Sequence, residues 1–292
     1  MAGSQDFAPD PRNADLLIWL NGALVRRADA KVSVFDAGFV LGDGVWEGLR
    51  LHRGRLLFLD AHLDRLIAGA SSIGLTLPTR GYFEDALAET LAANGMVDGA
   101  HLRLMVTRGE KRAANQDPRN ALGVPTVVIL AEYKQPTPGL TLRLHTATIR
   151  TTSAQMFDMR INSHSRLPLI LALNEAIAAG ADEALMLDPH GNIASCNATN
   201  FFWVADSEVR TSSGEYCFNG VTRANVITLC ATNGIACARG DFAPGDLLHA
   251  SEAFVTGTFG GVTPVSAIDG RALPLGPVTA RLQALYEELK DA

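Results

Sequence analysis

The sequence predicts an α/β protein of two domains. Segments with the two-residue period of strands alternate with segments of helical period along most of the chain. The stretch 135–139, Gln-Pro-Thr-Pro-Gly, carries two prolines that fit neither a helix nor the interior of a sheet. With 292 residues, 47% of them hydrophobic, the chain can form two cores. The predicted organisation is an N-terminal α/β domain at 1–134, a linker at 135–139 and a C-terminal domain at 140–292.

The predicted elements of the N-terminal half begin with a hairpin whose Asn21-Gly22 pair is typical of a type I′ turn. A tight turn at 42–44 precedes a strand that alternates in polarity. Asp60 is the predicted N-cap of the first long helix, which ends at Gly74. The elements are strands at 16–20, 23–25, 45–52, 56–59, 101–107 and 125–133, and helices at 60–73 and 82–94.

The predicted elements of the C-terminal half surround an apolar, alanine-rich helix that stops at Gly180. The elements are strands at 140–147, 183–187, 201–204 and 253–256, and helices at 167–179, 222–232 and 278–290. Two polar segments flank the central helix and its hairpin, an extended one at 160–164 and a second at 195–200. Polar side chains on both sides of a buried helix indicate a lined cavity.

The composition excludes several classes of partner. A net charge of -6, a pI of about 5.6 and the lack of a Lys/Arg cluster argue against nucleic acid and anionic membranes. Neither a secretory signal nor an apolar run of about 18 residues is present, which predicts a cytoplasmic protein with a small substrate. The four cysteines form no C-x-x-C pair, so we expect neither a metal site nor disulfides. Cys196 alone lies in a segment that could line a site.

Two short stretches have the chemistry of anion cradles. Gly220-Val221-Thr222-Arg223 precedes a helix, and Thr256-Gly257-Thr258 combines hydroxyls with a close backbone approach. Arg65, on a helix, could give a bidentate contact to phosphate. The alternatives are an ordinary helix cap and, for Arg65, a surface salt bridge.

A resemblance to a known family rests on motifs in family order from about residue 18 to residue 270. The motifs are D-A-G-F-V-L-G-D-G-V-W-E-G-L-R (36–50), H-L-D-R-L (62–66), N-E-A (174–176), G-A-D-E-A-L-M-L-D (180–188), N-F-F (200–202), G-V-T-R (220–223) and T-G-T-F-G-G-V-T-P-V (256–265). The chain resembles the class IV aminotransferases, the pyridoxal phosphate enzymes of fold type IV that include branched-chain and D-amino-acid aminotransferases and aminodeoxychorismate lyase.

The resemblance implies a two-domain fold type IV architecture, a homodimer, and an amino donor and a keto acid as small-molecule partners. It also implies roles for nine residues. The phosphate of pyridoxal 5'-phosphate would be held by Arg65, Val221, Thr222, Gly257 and Thr258; Trp46 and Glu47 would lie at the pocket mouth, near the substrate or the dimer interface; Asn200 would lie beside the ring, and Ser195 near the ring nitrogen. For Trp46 and Asn200, a half-buried strand aromatic and a turn-capping amide are the alternatives.

The sequence departs from the family pattern at the catalytic lysine. Family members carry I-K-S-x-N-x-L, whereas residues 161–167 read I-N-S-H-S-R-L, with Asn162 at the lysine position. An amide can neither form the imine nor move the substrate proton. The four lysines of the chain, Lys31, Lys111, Lys134 and Lys290, lie outside every family motif.

A second departure affects the ring nitrogen. The family places a Glu there, in V-x-E-x-x-x-x-N, and Ser195 takes its place in residues 193–200. A hydroxyl can hydrogen-bond the nitrogen but does not favour its protonated form, so the ring becomes a poorer electron sink. A laboratory substitution would explain Asn162 but not Ser195, which favours natural divergence.

His164 is a candidate for the vacant proton-transfer role. If 160–164 is extended, the side chains of Asn162 and His164 point to the same face, and a neutral imidazole could shuttle protons. The alternative is a histidine hydrogen-bonded to neighbouring backbone.

The predicted function is therefore that of an aminotransferase-like enzyme for a small amino acid or amine. Pyridoxal phosphate or pyridoxamine phosphate would be held noncovalently. Two alternatives remain. One is a catalytically silent protein that binds this or another phosphorylated ligand. The other is a lyase or racemase in which Ser195, Cys196 or His164 does new work.

Overall fold

The computed structural model describes residues 3–292, which divide into two compact units. The N-terminal unit comprises Phe7–Gln135 and Ile161–Arg166, and the C-terminal unit comprises residues 3–6, Pro136–Arg160 and Leu167–Ala292. The break between Gln135 and Pro136 falls in the stretch 135–139 that the sequence predicts as a linker. Residues 3–6 belong to the C-terminal unit although the N-terminal unit follows them in the chain, and residues 161–166 belong to the N-terminal unit although the C-terminal unit lies on both sides of them. The domain assignment 1–134 and 140–292 stays a prediction.

The N-terminal unit is an antiparallel sheet covered by two long helices. Its elements are β1 (Leu17–Leu20), β2 (Ala23–Arg26), α1 (Ala37–Leu41), β3 (Gly44–His52), β4 (Arg55–Leu56), α2 (Leu59–Ser72), α3 (Arg80–Ala93), β5 (Ala100–Thr107) and β6 (Thr126–Tyr133). The strand order is β2-β1-β6-β5-β3-β4. Alternate residues of β5, such as Leu102 and Leu104, are fully buried, as its sequence period requires. Leu63 and Leu66 of α2 and Phe83 of α3 belong to the same core.

The C-terminal unit is built on a second, mixed sheet. Its elements are β7 (Leu142–Thr146), α4 (Leu167–Ala178), β8 (Glu183–Leu187), β9 (Ile193–Cys196), β10 (Asn200–Ala205), β11 (Glu208–Ser212), α5 (Val221–Thr232), β12 (Cys237–Gly240), β13 (Glu252–Gly257), β14 (Gly261–Ile268), β15 (Arg271–Ala272) and α6 (Pro277–Asp291). The strand order is β12-β11-β10-β13-β14-β7-β8-β9, and β15 pairs with β14. Trp203 and Phe201 anchor its core.

Several predicted boundaries are wrong, for local reasons. The segment 160–164 is extended only in part. A turn ends at Arg160, the Ser163 amide donates to the Ile161 carbonyl at 2.9 Å, and Ser163 forms an isolated antiparallel bridge with Val45. The predicted strand 56–59 is replaced by the two-residue strand β4 (Arg55–Leu56), since α2 begins at Leu59. The N-cap of α2 is Phe58 rather than Asp60. The segment 195–200 breaks into the end of β9, a turn, and the start of β10. No helix within residues 3–292 is long and apolar enough to cross a membrane.

Glu183 in β8 gives the C-terminal unit a predictable pH dependence. Its carboxyl group is buried, and burial raises its pKa from 4.5 to about 7 although the Thr199 hydroxyl donates to it at 2.7 Å. A carboxyl group with a raised pKa in the folded state stabilises the fold fully below pH 4.5, and that stability is lost as pH rises through 7. At about 1.4 kcal/mol per unit of pKa, the loss is on the order of 3 kcal/mol.

We therefore expect Glu183→Gln to flatten the dependence of the free energy of unfolding on pH between about 5 and 8, as measured by urea denaturation. Glu287→Gln, which removes an exposed carboxylate, is the control and should leave the slope unchanged. An unchanged slope in Glu183→Gln would mean that Glu183 is ionised in the folded protein at neutral pH.

Candidate active site

The site residues of the N-terminal unit lie where β3 meets the segment 161–166. The Trp46 amide donates to the Asn162 carbonyl at 2.9 Å, and the His164 amide donates to the Gly44 carbonyl at the same distance. The Trp46 indole also donates to the Ser163 carbonyl, at 3.1 Å. These bonds make a short antiparallel pairing that fixes the segment against β3.

Asn162 uses both ends of its side chain in this pairing. Its Nδ2 donates to the Trp46 carbonyl at 2.6 Å, and its Oδ1 accepts a hydrogen bond from the Arg166 guanidinium. The residue is only 5% exposed. Asn162 is therefore a buried amide that ties its own segment to β3.

His164 is a neutral histidine with one unsatisfied nitrogen. Burial, strengthened by the charges of Arg103 and Arg166, lowers its pKa to about 4, although the Val45 backbone favours the protonated form. Its Nε2 has no hydrogen-bond partner within residues 3–292. Residues 162 and 164 flank Ser163, which forms an isolated antiparallel bridge with Val45. That Asn162 and His164 point to the same face stays a prediction. A proton-transfer role for His164 stays a prediction.

Glu47 and Arg65 form a buried ion pair. The Glu47 carboxylate is fully buried and accepts from Arg65 Nε at 2.8 Å and from Arg65 Nη2 at 2.5 Å. His62 Nδ1 lies 2.7 Å from the same carboxylate. Burial alone would raise the pKa of Glu47, but the hydrogen bonds from Arg65 and His62 outweigh it and hold the pKa below its ordinary value. Arg65 therefore forms a salt bridge, as the alternative predicts, but its partner is a fully buried carboxylate and not a surface one.

Two further guanidinium groups lie close to the indole ring of Trp46. Arg103 lies 3.7 Å from the centroid of the indole ring, and Arg166 lies 5.5 Å from it. Such cation–π contacts hold a flat guanidinium in place. Burial lowers the pKa of Arg166 to about 10, with repulsion from Arg103 and Arg65 acting in the same direction. The residues around Trp46 thus concentrate positive charge.

The first anion cradle of the C-terminal unit is the start of α5. Gly220 is the N-cap and supplies no side-chain hydrogen bond, so the helix N-terminus lacks the usual side-chain cap. The first two residues of the helix, Val221 and Thr222, are buried. A Cβ on Gly220 would lie 2.5 Å from Asn200 Oδ1, which explains the glycine. The Gly220 amide donates to the same oxygen at 3.2 Å, so the helix begins beside the first residue of β10.

The second cradle lies at the end of β13, the strand against which α5 packs. Thr256 is 1% exposed, and its hydroxyl has no hydrogen-bond partner within residues 3–292. Gly257 follows and is half-buried, and Thr258 comes directly after it. Thr256 pairs in register with Asn200, whose side chain accepts from the Gly220 amide at the start of α5. A buried hydroxyl without a partner is unfavourable, so its presence there favours a bound polar group.

Ser195 and Asn200 are held by the turn between β9 and β10. The Ser195 hydroxyl donates to the Thr199 carbonyl at 2.8 Å. Asn200 Nδ2 donates to the Phe218 carbonyl at 2.6 Å and to Ser195 Oγ at 3.3 Å. Cys196 is buried in the core of the unit, and burial raises the pKa of its thiol, so it is not a nucleophile at neutral pH.

The residues present fit one part of a phosphopyridoxyl group. The uncapped start of α5, Thr222 and the unsatisfied Thr256 hydroxyl suit a phosphate. Covalent attachment has no candidate at position 162. Of the lysines, Lys111 donates to the Asp117 carbonyl at 2.9 Å and Lys290 pairs with Glu287. Within residues 3–292, no group of His, Cys, Asp and Glu could hold a metal ion.

Sequence reasoning missed four residues of these sites. They are His62, Arg103, Arg166 and Thr199. Two of them could have been found, since His62 opens the H-L-D-R-L motif and Arg166 follows Asn162 by four residues. Arg103 and Thr199 carry no sequence signal of their own.

Two sheets, one of which packs the uncapped helix α5 against the strand that ends in Thr256-Gly257-Thr258, define an α/β protein with a candidate anion site. Comparison with known proteins gives the family. Residues 44–268 match the family described as Amino-transferase class IV. The chain belongs to the class IV aminotransferases, as its motifs predict.

Three relatives illustrate the similarity. Branched-chain-amino-acid aminotransferase-like protein 2 of Arabidopsis thaliana is 40% identical over 97% of this chain, which spans only 52% of that protein's length. A putative branched-chain-amino-acid aminotransferase of Methanocaldococcus jannaschii is 35% identical, with 94% of this chain and 96% of that protein covered. The crystal structure of the branched-chain aminotransferase of Thermoproteus uzoniensis with norvaline has a TM-score of 0.85 and 29% identity, covering 94% of both chains. The predicted α/β fold of type IV is thereby confirmed.

Class IV aminotransferases use pyridoxal phosphate.

Proposed function

We propose that this chain is an aminotransferase-like enzyme that binds pyridoxal phosphate, or pyridoxamine phosphate, without a covalent bond. Its partners would be a small amino acid or amine as donor and a keto acid as acceptor. The observation that carries the proposal is the buried, unsatisfied Thr256 hydroxyl, which lies on the strand that packs against α5. Family membership supports the ligand class.

The residues would act as follows. Val221, Thr222, Thr256, Gly257 and Thr258 would hold the phosphate through backbone N–H groups and hydroxyls. The cofactor, when bound, supplies an aldehyde that accepts an amino group and a ring that withdraws electrons.

Other side chains would orient and protect the site. Asn200, fixed by the Phe218 carbonyl, would position the ring, and Ser195 would offer a neutral contact to it. His164 Nε2 carries no proton donor or acceptor partner within residues 3–292 and could hold a proton during transfer. Arg65 would contribute positive charge to the phosphate while Glu47 keeps its guanidinium in place.

A catalytically silent binding protein is the second candidate. The hydrogen bonds of Asn162 to Trp46 and Arg166 favour it, because they give the lysine position a structural role. The Ser195 hydroxyl likewise donates to the Thr199 backbone. Identification of the released product would separate an aminotransferase from a lyase or racemase built on the same site. A homodimer and a cytoplasmic location remain predictions, the first testable by sedimentation.

The test is an absorbance titration with pyridoxal phosphate, followed by a panel of amino donors. Saturable binding, no adduct after borohydride reduction, and conversion to the pyridoxamine form by one donor are expected. Binding without conversion by any donor would select the silent binding protein. No binding would refute the aminotransferase and would leave the cradle to another phosphorylated ligand.

Thr256→Val is a sharper test of the cradle, because the substitution keeps the shape and removes the hydroxyl. We expect the affinity for pyridoxal phosphate to fall about tenfold, as a hydrogen bond to a charged group is worth about 1.5–3 kcal/mol. The free energy of unfolding should not fall, because the free protein loses only an unsatisfied buried hydroxyl.

Thr228→Val on the exposed side of α5 is the control and should change neither quantity by much, since its hydroxyl bonds to the Ala224 carbonyl of its own helix. A Thr256→Val protein that binds the cofactor as tightly as the wild type would remove Thr256 from the site.

A further inference from the structure

Glu183 has one partnered and one unpartnered carboxyl oxygen. Its Oε2 accepts a hydrogen bond from the Thr199 hydroxyl at 2.7 Å, whereas Oε1 has no hydrogen-bond partner within residues 3–292. The residue is only 2% exposed. A buried carboxylate with an unpaired oxygen is unfavourable, and a proton on that oxygen removes the charge. Burial outweighs the Thr199 hydroxyl and the Ser4 backbone, which favour the ionised form, and raises the pKa of Glu183 to about 7.

The ionisable groups that act on Glu183 keep a constant charge near neutral pH. Asp182 precedes it and is bound to Arg143 of β7 at 2.9 Å. Burial opposes the ionisation of Asp182, but the hydrogen bonds from Arg143 outweigh it and hold the pKa of Asp182 below its ordinary value. Cys196 on β9 stays a neutral thiol, because burial raises its pKa. Glu183 is therefore the group of this cluster whose charge changes near pH 7.

The Thr199 side chain joins Glu183 to the second cradle. Its hydroxyl donates to Glu183, and its methyl carbon Cγ2 lies 3.4 Å from the position that a Cβ on Gly257 would take. The next residue in the chain, Asn200, pairs in register with Thr256. All of these residues belong to the C-terminal unit. One side chain therefore contacts both the carboxyl group and the backbone of the cradle.

We propose that Glu183 is a positioning residue of the second cradle, which acts through Thr199 and couples the binding of a phosphate-bearing ligand to the uptake of a proton. The inference rests on the proposed function, since it assumes that the phosphate lies at Gly257 and Thr258. An ionised Glu183 would repel that phosphate through a buried region that screens charge weakly, so the ligand binds better to the protonated protein. By linkage, the bound phosphate favours the protonated form of Glu183.

Glu183→Gln isolates this effect, because glutamine keeps an oxygen that accepts from Thr199 and carries no charge at any pH. Ionisation of the ligand affects both proteins equally, so the ratio of their dissociation constants depends on Glu183 alone. The carboxyl group is neutral below its pKa, so the affinity of the wild type should fall as pH rises through about 7. We expect the ratio of wild type to variant to be about one at pH 6 and about five at pH 8.5.

The experiment is calorimetric titration of the full chain with pyridoxal phosphate at these two pH values and at about pH 7.5, in two buffers of different ionisation enthalpy. The dependence of the heat on the buffer measures proton uptake, which near pH 7.5 should be larger in the wild type than in Glu183→Gln. Thr199→Val keeps the methyl contact with Gly257 and removes the donor to Glu183. It should move the fall in affinity to higher pH, because that hydrogen bond favours the ionised form. Glu287→Gln, at an exposed carboxylate, is the control and should follow the wild type at every pH.

Each other outcome has a defined meaning. A ratio that stays constant from pH 6 to 8.5, whatever its value, would give Glu183 a structural role only; it would overturn the inference and leave the proposed function standing. Weaker binding by Glu183→Gln at pH 8.5 than at pH 6, relative to the wild type, has the wrong sign and the same consequence. If the wild type binds no pyridoxal phosphate at any pH, the proposed aminotransferase fails and the inference fails with it. Should Glu183→Gln not fold, identical pH profiles of the wild type and Thr199→Val would overturn the inference, and the upward shift would support it.

Discussion

Asn162→Lys is expected to give a protein that pyridoxal phosphate and borohydride label stoichiometrically at residue 162, whereas the wild type gains no label. A lysine restores the amine that the family pattern has at this position. The guanidinium groups of Arg65, Arg103 and Arg166 should lower the pKa of the new amine, which favours its neutral, nucleophilic form. Mass spectrometry of peptides from the reduced protein measures the label and its position.

The substitution also has a cost in stability. The hydrogen bonds of Asn162 to the Trp46 carbonyl and from Arg166 are lost, which should lower the free energy of unfolding by about 1–3 kcal/mol. Asn162→Gln, which adds length but no amine, is the control and should stay unlabelled. A folded, cofactor-binding Asn162→Lys protein without label at residue 162 would show that the family's lysine geometry does not apply to this chain.

Glu47→Gln should lower the free energy of unfolding by about 3 kcal/mol near pH 7, the largest stability change we expect from an isosteric substitution in this chain. Removal of one partner of a buried ion pair leaves the other charge uncompensated, at a cost of about 3–5 kcal/mol. Arg65 is 17% exposed, so water screens part of that cost. Urea denaturation gives the value.

The same carboxylate predicts a pH effect of definite sign. The folded-state pKa of Glu47 lies below its ordinary value, so its contribution to stability is present above that ordinary value and is lost as pH falls through the folded-state pKa. Glu47→Gln should therefore lose part of the acid-side slope that the wild type shows. Glu84→Gln, at an exposed pair with Arg80 3.9 Å away, is the control, with an effect below about 0.5 kcal/mol. Equal losses in the two variants would mean that the Glu47 pair is as weak as a surface one.

Elements with a strong period can be predicted from the sequence, and those that depend on a partner cannot. The sequence predicts β8 at its observed bounds, because a largely apolar run ends at a Pro-His-Gly-Asn turn. The prediction for the segment 160–164 is wrong at its start, where a turn ends at Arg160, and only the part that pairs with β3, more than a hundred residues earlier, is extended. Its own residues carry no period that distinguishes a turn from a strand.

The candidate site divides in the same way. The cradles at 220–223 and 256–258 are predicted from glycine, threonine and the start of a helix, which are local signals. The ion pair of Glu47 with Arg65 needs two elements to meet, β3 and α2, and a single sequence cannot give that distance. For the same reason, the stacking of Arg103 on Trp46 becomes visible only when β5 and β3 are paired in register.

The excursion of residues 161–166 into the N-terminal unit has an evolutionary consequence. A recombination event in the linker 135–139 would join one parent's β3 to another parent's residue 162, although the backbone of Trp46 and the side chain of Asn162 are bonded to each other. A hybrid between this chain and a relative with a lysine at this position would then combine residues 44–46 of one parent with residues 161–166 of the other. We therefore expect residues 44–46 and 161–166 to evolve together, although more than a hundred residues separate them in the chain. A functional exchange between relatives would have to transfer both segments.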